Sequence, residues 1–222
     1  MRNVSKKIIG TVCFLLLPIS TLLGQSQNTT LIGRWANGPC NAVDWEYNMV
    51  YFGNGGYLEI AEILNPANPV RLGKIALPGV VRDVVTDASY AFVANDQYGI
   101  RIIDVSSPAN PTETGFFDTG DHARGVAVSG NYAYVADAMD GLRILDISDP
   151  ANPFEAGFFD TGGHAFGVAV NGIFAYVADG DEGLRIIDVS DPASPSETGF
   201  FDTGGTALDV CISGPYAYVA DG

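Results

Sequence analysis

Positive charge is scarce in this chain, which holds 11 lysines and arginines against 26 aspartates and glutamates in 222 residues. Three of those basic residues, Arg2, Lys6 and Lys7, precede an apolar stretch from Ile8 to Leu23 that gives way to Gly24-Gln25-Ser26. A positive start, an apolar middle and small residues at the end predict a signal peptide over residues 1–26. Pro18, Ser20 and Thr21 interrupt the stretch, which argues against a membrane anchor. Without the leader, eight basic residues face 26 acidic ones, a formal charge of −18. Such a surface repels nucleic acid and anionic lipid. The expected setting is secreted or cell-surface, with no nucleic-acid partner and no membrane insertion after leader cleavage.

Cysteine and histidine are as sparse, with three of the first and two of the second. Cys13 lies inside the apolar stretch and not after it, so lipid attachment to that thiol is not expected. Cys40 and Cys211 could pair in an exported chain, and sequence spacing does not decide whether they do. Two histidines fall short of the three protein ligands of a usual catalytic zinc. The chain contains no nucleophile elbow, P-loop, dinucleotide fingerprint or zinc-ligand spacing. After the leader, no segment shows a capped helical period. These absences point away from an enzyme and away from helices.

What the chain has in abundance is repetition. Tyr90-Ala91-Phe92-Val93-Ala94-Asn95 recurs as Tyr132-Ala133-Tyr134-Val135-Ala136-Asp137, then as Phe174 to Asp179 and Tyr216 to Asp221, at gapless steps of 42 residues. Pro66, Pro108, Pro150 and Pro192 keep the same step. Self-similarity at this period marks a stacked array of one supersecondary unit. Within a copy, Gly125 to Val128 is an apolar run and Ser129-Gly130-Asn131 a turn. Tyr132 to Ala136 alternates large and small residues, and Asp137 to Gly141 turns again. Leu142 to Ile147 is the next strand, Ser148-Asp149-Pro150-Ala151-Asn152-Pro153 a Pro/Asn turn, and Glu155 to Asp160 the outer edge.

Four strands in one such repeat make the blade of a β-propeller. Strands such as Leu184 to Val189 are apolar on both faces, as a sheet between two neighbours requires. Ala127, Ala133 and Ala169 are small enough to let sheets approach, and Cys211 falls at the position of Ala127 and Ala169, where a small buried side chain fits. An open β-solenoid has less use for two tight hairpins per unit. The expected architecture is an all-β propeller of four-stranded blades over residues 39–222. The chain stops at Asp221-Gly222 inside a fifth copy, so the expectation is a C-terminally truncated array of about four complete blades plus part of a fifth. Residues 27–38 form an N-terminal segment in which Leu31 to Trp35 resembles the outer strand Arg71 to Ile75 and is expected to close the ring.

The runs Ile100-Arg101-Ile102-Ile103-Asp104-Val105-Ser106-Ser107-Pro108, Leu142 to Pro150 and Leu184 to Pro192, with a degenerate first copy Leu58 to Pro66, resemble the LVIVD-repeat family of exported bacterial and archaeal proteins. The resemblance covers the chain from about Pro39 onward. It implies a propeller on an exported or surface protein and supplies no catalytic motif. Family members often belong to larger secreted proteins, some carrying a C-terminal sorting domain for type IX secretion.

Chemistry, if present, should sit where the copies disagree. At the start of strand one they read Arg82-Asp83, Arg124-Gly125, Phe166-Gly167 and Leu208-Asp209. This slot lies near the mouth of the central channel, and pure packing gives little reason for it to vary. Exposed loops also drift without a function. Arg82, Asp83, Arg124, Phe166, Leu208 and Asp209 are the candidate contact residues, with His122 and His164 on the same face. The two imidazoles occupy one repeat position and could share a metal, or be duplicated surface residues. No metal site is assigned. Asp179-Gly180-Asp181-Glu182-Gly183 raises calcium as the only cofactor to consider, but Ser190 stands where an EF-hand needs its bidentate Glu, and the same residues suit a tight turn. Arg101, Arg143 and Arg185 recur on buried strands and should form ion pairs between blades.

Three functions fit. The first is a non-catalytic scaffold presenting one acidic face to a surface glycan or protein partner. The second is a calcium-dependent, lactonase-like propeller hydrolase, for which Val84, Val126, Val168 and Val210 leave only Asp83, Asp209 and Asn41 as channel ligands. The third is a structural module of a larger secreted protein. The pattern carries no signal for oligomeric state.

Overall fold

The computed structural model describes residues 40–222. The expected signal peptide at 1–26 and the segment at 27–38 expected to close the ring lie outside the described residues. Every element among those described is a strand. The first blade contains β1 (Cys40–Glu46), β2 (Met49–Asn54), β3 (Tyr57–Glu62) and β4 (Val70–Ala76). The second contains β5 (Asp83–Asp87), β6 (Tyr90–Ala94), β7 (Ile100–Asp104) and β8 (Thr112–Phe117). The third contains β9 (Gly125–Ser129), β10 (Tyr132–Ala136), β11 (Leu142–Asp146) and β12 (Phe154–Phe159). The fourth contains β13 (Gly167–Asn171), β14 (Phe174–Ala178), β15 (Leu184–Asp188) and β16 (Ser196–Phe201), and β17 (Ala207–Ser213) pairs with β18 (Tyr216–Asp221) as two strands of a fifth.

Each complete blade is an antiparallel meander in sequence order. β-Branched and aromatic side chains suit these half-buried pleats. The register repeats as well: Tyr90 faces Asp104, Tyr132 faces Asp146 and Phe174 faces Asp188. The first strands stand side by side, β1 by β5, β5 by β9, β9 by β13 and β13 by β17. Val84, Val126, Val168, Ala127, Ala169 and Cys211 line the channel between them. Ala133 is buried between blades, and Ala127 and Ala169 also pack against the inter-blade cores while bordering the channel.

The core lies between blades. Phe92, Ala94, Ile100 and Ile102 of the second blade meet Val126, Ala133, Val135, Leu145 and Ile147 of the third. The third meets the fourth through the equivalent Tyr134, Ala136, Leu142 and Ile144 against Val168, Ala175, Val177, Ile187 and Val189. Ile100, Ile102 and Ile144 are fully buried, each worth about 1.5–3 kcal/mol over exposure. The blades are therefore held by nearest-neighbour apolar faces, the energetic unit of a repeat array.

A second inter-blade contact comes from glycine. A Cβ on Gly73, Gly115 or Gly157 of the outer strands would lie 2.3, 2.2 or 2.2 Å from the carbonyl oxygen of Pro108, Pro150 or Pro192 in the next blade. The proline turn of each of these blades thus seats in a notch that its predecessor keeps open. The outer strand carries a bulge beside that glycine, between Ile102 and Ile103 in the second blade, which lets the edge bend around the incoming turn.

The repeated arginines form ion pairs within their own blades, correcting the expectation of pairs between blades. Arg101 reaches Glu113 at 3.0 Å, Arg143 reaches Asp140 and Glu155 at 2.7 and 3.1 Å, and Arg185 reaches Glu182 and Glu197 at 2.7 and 3.2 Å. The reason is register: Ile103 pairs with Glu113 and Arg101 with Phe116, so acid and base lie diagonally across two adjacent strands. The guanidinium also stacks over Phe116, 4.6 Å from its centroid, and the side chain is largely shielded from solvent. The first blade reverses the polarity. Glu59 occupies the arginine position and Arg71 answers it at 3.6 Å.

Candidate contact surface at the channel mouth

The loops entering each first strand share one end of the channel with the loops joining second to third strands. Backbone bonds tie the two sets together across blades: Ala123 N donates to Asp96 O at 3.0 Å, Ala165 N to Ala138 O at 2.9 Å and Ala207 N to Gly180 O at 2.9 Å. A buried polar latch fixes them further. Thr119 Oγ1 donates to Asp137 Oδ1 at 2.5 Å, and Thr161 Oγ1 to Asp179 Oδ1 at 2.6 Å. Asp137 and Asp179 are wholly inaccessible to solvent. Burial raises both carboxyls above the ordinary carboxylate range, while the threonine hydroxyls oppose that rise.

This latch, which fixes the frame of the mouth, is the element that reading the sequence missed. In the second blade the hydroxyl position holds Leu77, and the acid is replaced by Asn95. Asn95 Oδ1 accepts from Gly79 N at 2.9 Å and its Nδ2 donates to Gly79 O at 3.0 Å. Where the hydroxyl is lost, the buried carboxylate is lost with it. The coupled change between Leu77/Asn95 and Thr119/Asp137 was the visible signal.

On this frame the mouth residues take different partners. Arg82 Nη2 pairs with Asp96 Oδ2 at 2.9 Å. Asp83 bonds its neighbours: Oδ1 accepts from Val84 N at 2.9 Å and Oδ2 from Val126 N of the next blade at 3.0 Å. Asp209 Oδ1 accepts from Val210 N at 2.8 Å and lies 2.6 Å from where a Cβ on Gly167 would be. A Cβ on Gly125 would meet Phe166 O at 2.9 Å. Part of the variation in this slot therefore has a packing cause, because the first strands approach too closely for side chains in every copy.

The remaining candidates are exposed or half-buried. Leu208 is exposed. His164 is exposed and stacks on half-buried Phe166, with centroids 6.2 Å apart and planes at 23°. His122 Nδ1 lies 2.5 Å from Asp121 Oδ1, a bond that holds the Asp121 carboxyl below its usual range. Arg124 has no carboxylate within ion-pair distance among the described residues, and its Nε is buried without a hydrogen-bond partner. The structure thus leaves His164 and Leu208 exposed and Arg124 and Phe166 half-buried, and commits Arg82, Asp83 and Asp209 to internal bonds.

The acidic loop at 179–183 is a closed turn, with Asp179 N donating to Gly183 O at 2.8 Å. Its acids are engaged: Asp179 with Thr161, Asp181 with Thr206 at 2.9 Å, and Glu182 with Arg185 at 2.7 Å. Among the described residues no cluster of three or more His, Cys, Asp or Glu is placed to hold a metal. No helix among them is long and apolar enough to cross a membrane. Beyond the first blade, the turns after the third strands are uniform. Asp104, Asp146 and Asp188 each accept from Ser106, Ser148 and Ser190 N at 2.8 Å, and those serines hold the three carboxyls below their usual range.

Comparison with known proteins finds the LVIVD repeat over residues 78–119, 120–161, 162–203 and 204–222. No curated protein matches. Two computationally designed proteins share the fold. Ika8 superposes with a TM-score of 0.66 at 10% identity over 82% of this chain and 55% of its own, so this chain spans about half its length. Ika4 gives 0.60 at 11% identity over 72% of this chain and 98% of its own.

Proposed function

From the premise that this chain belongs to the LVIVD-repeat family, we propose that it is a non-catalytic interaction module of an exported protein. Its contact surface is the irregular channel mouth carrying Arg124, His164, Phe166 and Leu208, flanked by Arg82 and His122. The partner is a surface glycan or an envelope protein. The observation that carries this reading is the contrast between the two channel ends. At one, the turns after the third strands keep a proline in every copy, at Pro66, Pro108, Pro150 and Pro192. The other holds a paired cation, an unpaired cation, an aromatic stack and an exposed leucine in one structural slot. Aromatic and arginine groups on a rigid frame are what contact surfaces favour. Fold by itself assigns no function, so the argument rests on the slot.

The test is a glycan array and an envelope-protein pull-down with the intact protein, followed by Arg124→Ala and Phe166→Ala. Each substitution should weaken capture, while Asp149→Ala at the opposite end should not. Capture that survives both mouth substitutions and fails with Asp149→Ala would assign the face wrongly. A hydrolase activity lost with Asp83→Ala or Asp209→Ala would replace the scaffold reading with an enzyme.

A further inference from the structure

In three of the mouth slots the residue fourteen positions on lies beneath. Asp96 sits under Arg82 at 2.9 Å. A Cβ on Gly180 would be 3.3 Å from Phe166 Cε2, and one on Gly222 would be 3.4 Å from Leu208 Cδ1. The remaining member of this series, by repeat position, is Arg124 with Ala138. The backbones match, since Arg82 N donates to Ala94 O and Arg124 N to Ala136 O, both at 2.8 Å. Asp96 and Ala138 also share a left-handed conformation, with φ of 57° and 46°. One blade therefore places a carboxylate against the mouth arginine, and the next offers a methyl group in that position.

Arg71, Arg82, Arg101, Arg143 and Arg185 each have a carboxylate within 4.0 Å, which leaves Arg124 as the exception among described arginines. Asp121 is the acid whose charge it influences. That carboxylate is already held by His122 Nδ1 at 2.5 Å and Met139 N at 3.0 Å. We infer that Arg124, paired by repeat position with Ala138 and beside the Phe166–His164 stack, is a subsite for a carboxylate group of the bound partner. The incoming carboxylate takes the place that Asp96 fills beneath Arg82. Arginine suits this role because its planar fork matches a carboxylate and stays charged. The surrounding acidic field disfavours polyanions, so the ligand carries an isolated carboxylate. A sugar acid and a peptide carboxylate share that chemistry.

This inference rests on the mouth being the contact surface and is tested separately from it. The full chain, labelled with ¹⁵N, is titrated at low salt with glucuronate, with N-acetylglycine, and with neutral methyl glucoside. The Arg124 Nε–H and the amides of Arg124, Ala138 and Phe166 should shift with the two acids and not with the neutral sugar. A larger response to glucuronate identifies a sugar acid as the source, and a larger response to N-acetylglycine a peptide. Arg124→Gln should weaken binding about tenfold or more. Ala138→Asp should do the same by supplying the missing carboxylate internally, and Asp tolerates this left-handed position better than Ala. Asp96→Ala should free Arg82 and add a second set of shifts around it. Shifts absent from wild type, or surviving in both Arg124→Gln and Ala138→Asp, would overturn the subsite. If Ala138→Asp fails to fold, Arg124→Gln and Asp96→Ala still decide. Phe166-dependent capture of a partner without any carboxylate response would sink this inference and leave the mouth reading standing.

Discussion

Gly115→Ala should destabilise the protein, and Gly199→Ala should not. The two glycines occupy the same repeat position on β8 and β16, and neither has a positive φ. They differ in what stands opposite. An added Cβ at Gly115 would meet Pro150 O at 2.2 Å and Ala151 C at 3.1 Å, both backbone atoms of the next blade. At Gly199 nothing lies within 4 Å among the described residues, which include only the first two strands of the fifth copy. Backbone has no rotamer through which to yield, so the blades must separate or the Ser-Asp-Pro turn must shift. Overpacking of this kind costs about 1–3 kcal/mol. Gly→Ala within a strand is otherwise favourable by roughly 0.5–1 kcal/mol. In a domain of this size, 1 kcal/mol moves Tm by about 2–4 °C. Gly115→Ala should thus lower Tm by roughly 2–12 °C, and Gly199→Ala should leave it unchanged or slightly raised. Thermal melts followed by circular dichroism on the full chain measure both. Equal effects at the two sites would show that these glycines serve the local strand and not the blade interface.

Asp137→Asn should stabilise the fold increasingly as pH rises. Burial raises the folded carboxyl above its unfolded value of about 3.9. Its contribution is therefore present below that value and lost as pH climbs through the folded one, a loss asparagine cannot incur. Urea midpoints at about pH 4 and pH 7 should show the variant's advantage only at the higher pH. Thr161→Val removes the hydroxyl that donates to Asp179 at 2.6 Å and should cost about 1–3 kcal/mol near neutrality. The deficit should shrink in acid, where Asp179 is protonated. Arg101→Glu and Glu113→Arg should each destabilise, by about 1 kcal/mol. Their combination should recover most of the loss, since Glu59 and Arg71 already make the reversed pair in the first blade. A double-mutant cycle by chemical denaturation measures the coupling.

The fold was legible because duplication copies every local constraint together. The step from Phe92 to Tyr134, the Pro turns and the apolar runs all agree on one blade, and the register found for β6, β10 and β14 follows from them. Periodicity marks which residues are alike, but it does not say whether two like residues touch within a blade or across the gap between blades. Hence the Arg101–Glu113 pair was expected in the wrong place, and Gly115 went unremarked although its neighbour Pro150 was recognised as a turn. Both errors concern which parts of adjacent blades face each other, a matter of sheet stagger. The mouth was located through its irregularity, but the internal bonds of Asp83 and Asp209 depend on atoms brought together from successive first strands.

The same geometry bears on whether the mouth varies by drift or by selection. Free drift at an exposed slot would change one position without regard to another. Here each slot residue goes with the residue fourteen places on. Arg82 stands with Asp96, Phe166 with Gly180 and Leu208 with Gly222, so a charge meets its opposite and a bulky apolar group meets a bare backbone. The pair is the unit that changes. The latch from Thr119 to Asp137 and from Thr161 to Asp179 holds the loop from beneath, so exchanging a pair leaves the backbone where it was. A frame that stays constant under exchangeable surface pairs can alter its contacts without refolding. Arg124 with Ala138 is the one pair in this series left chemically incomplete within the chain, and it is where the chain can gain most from a molecule other than itself.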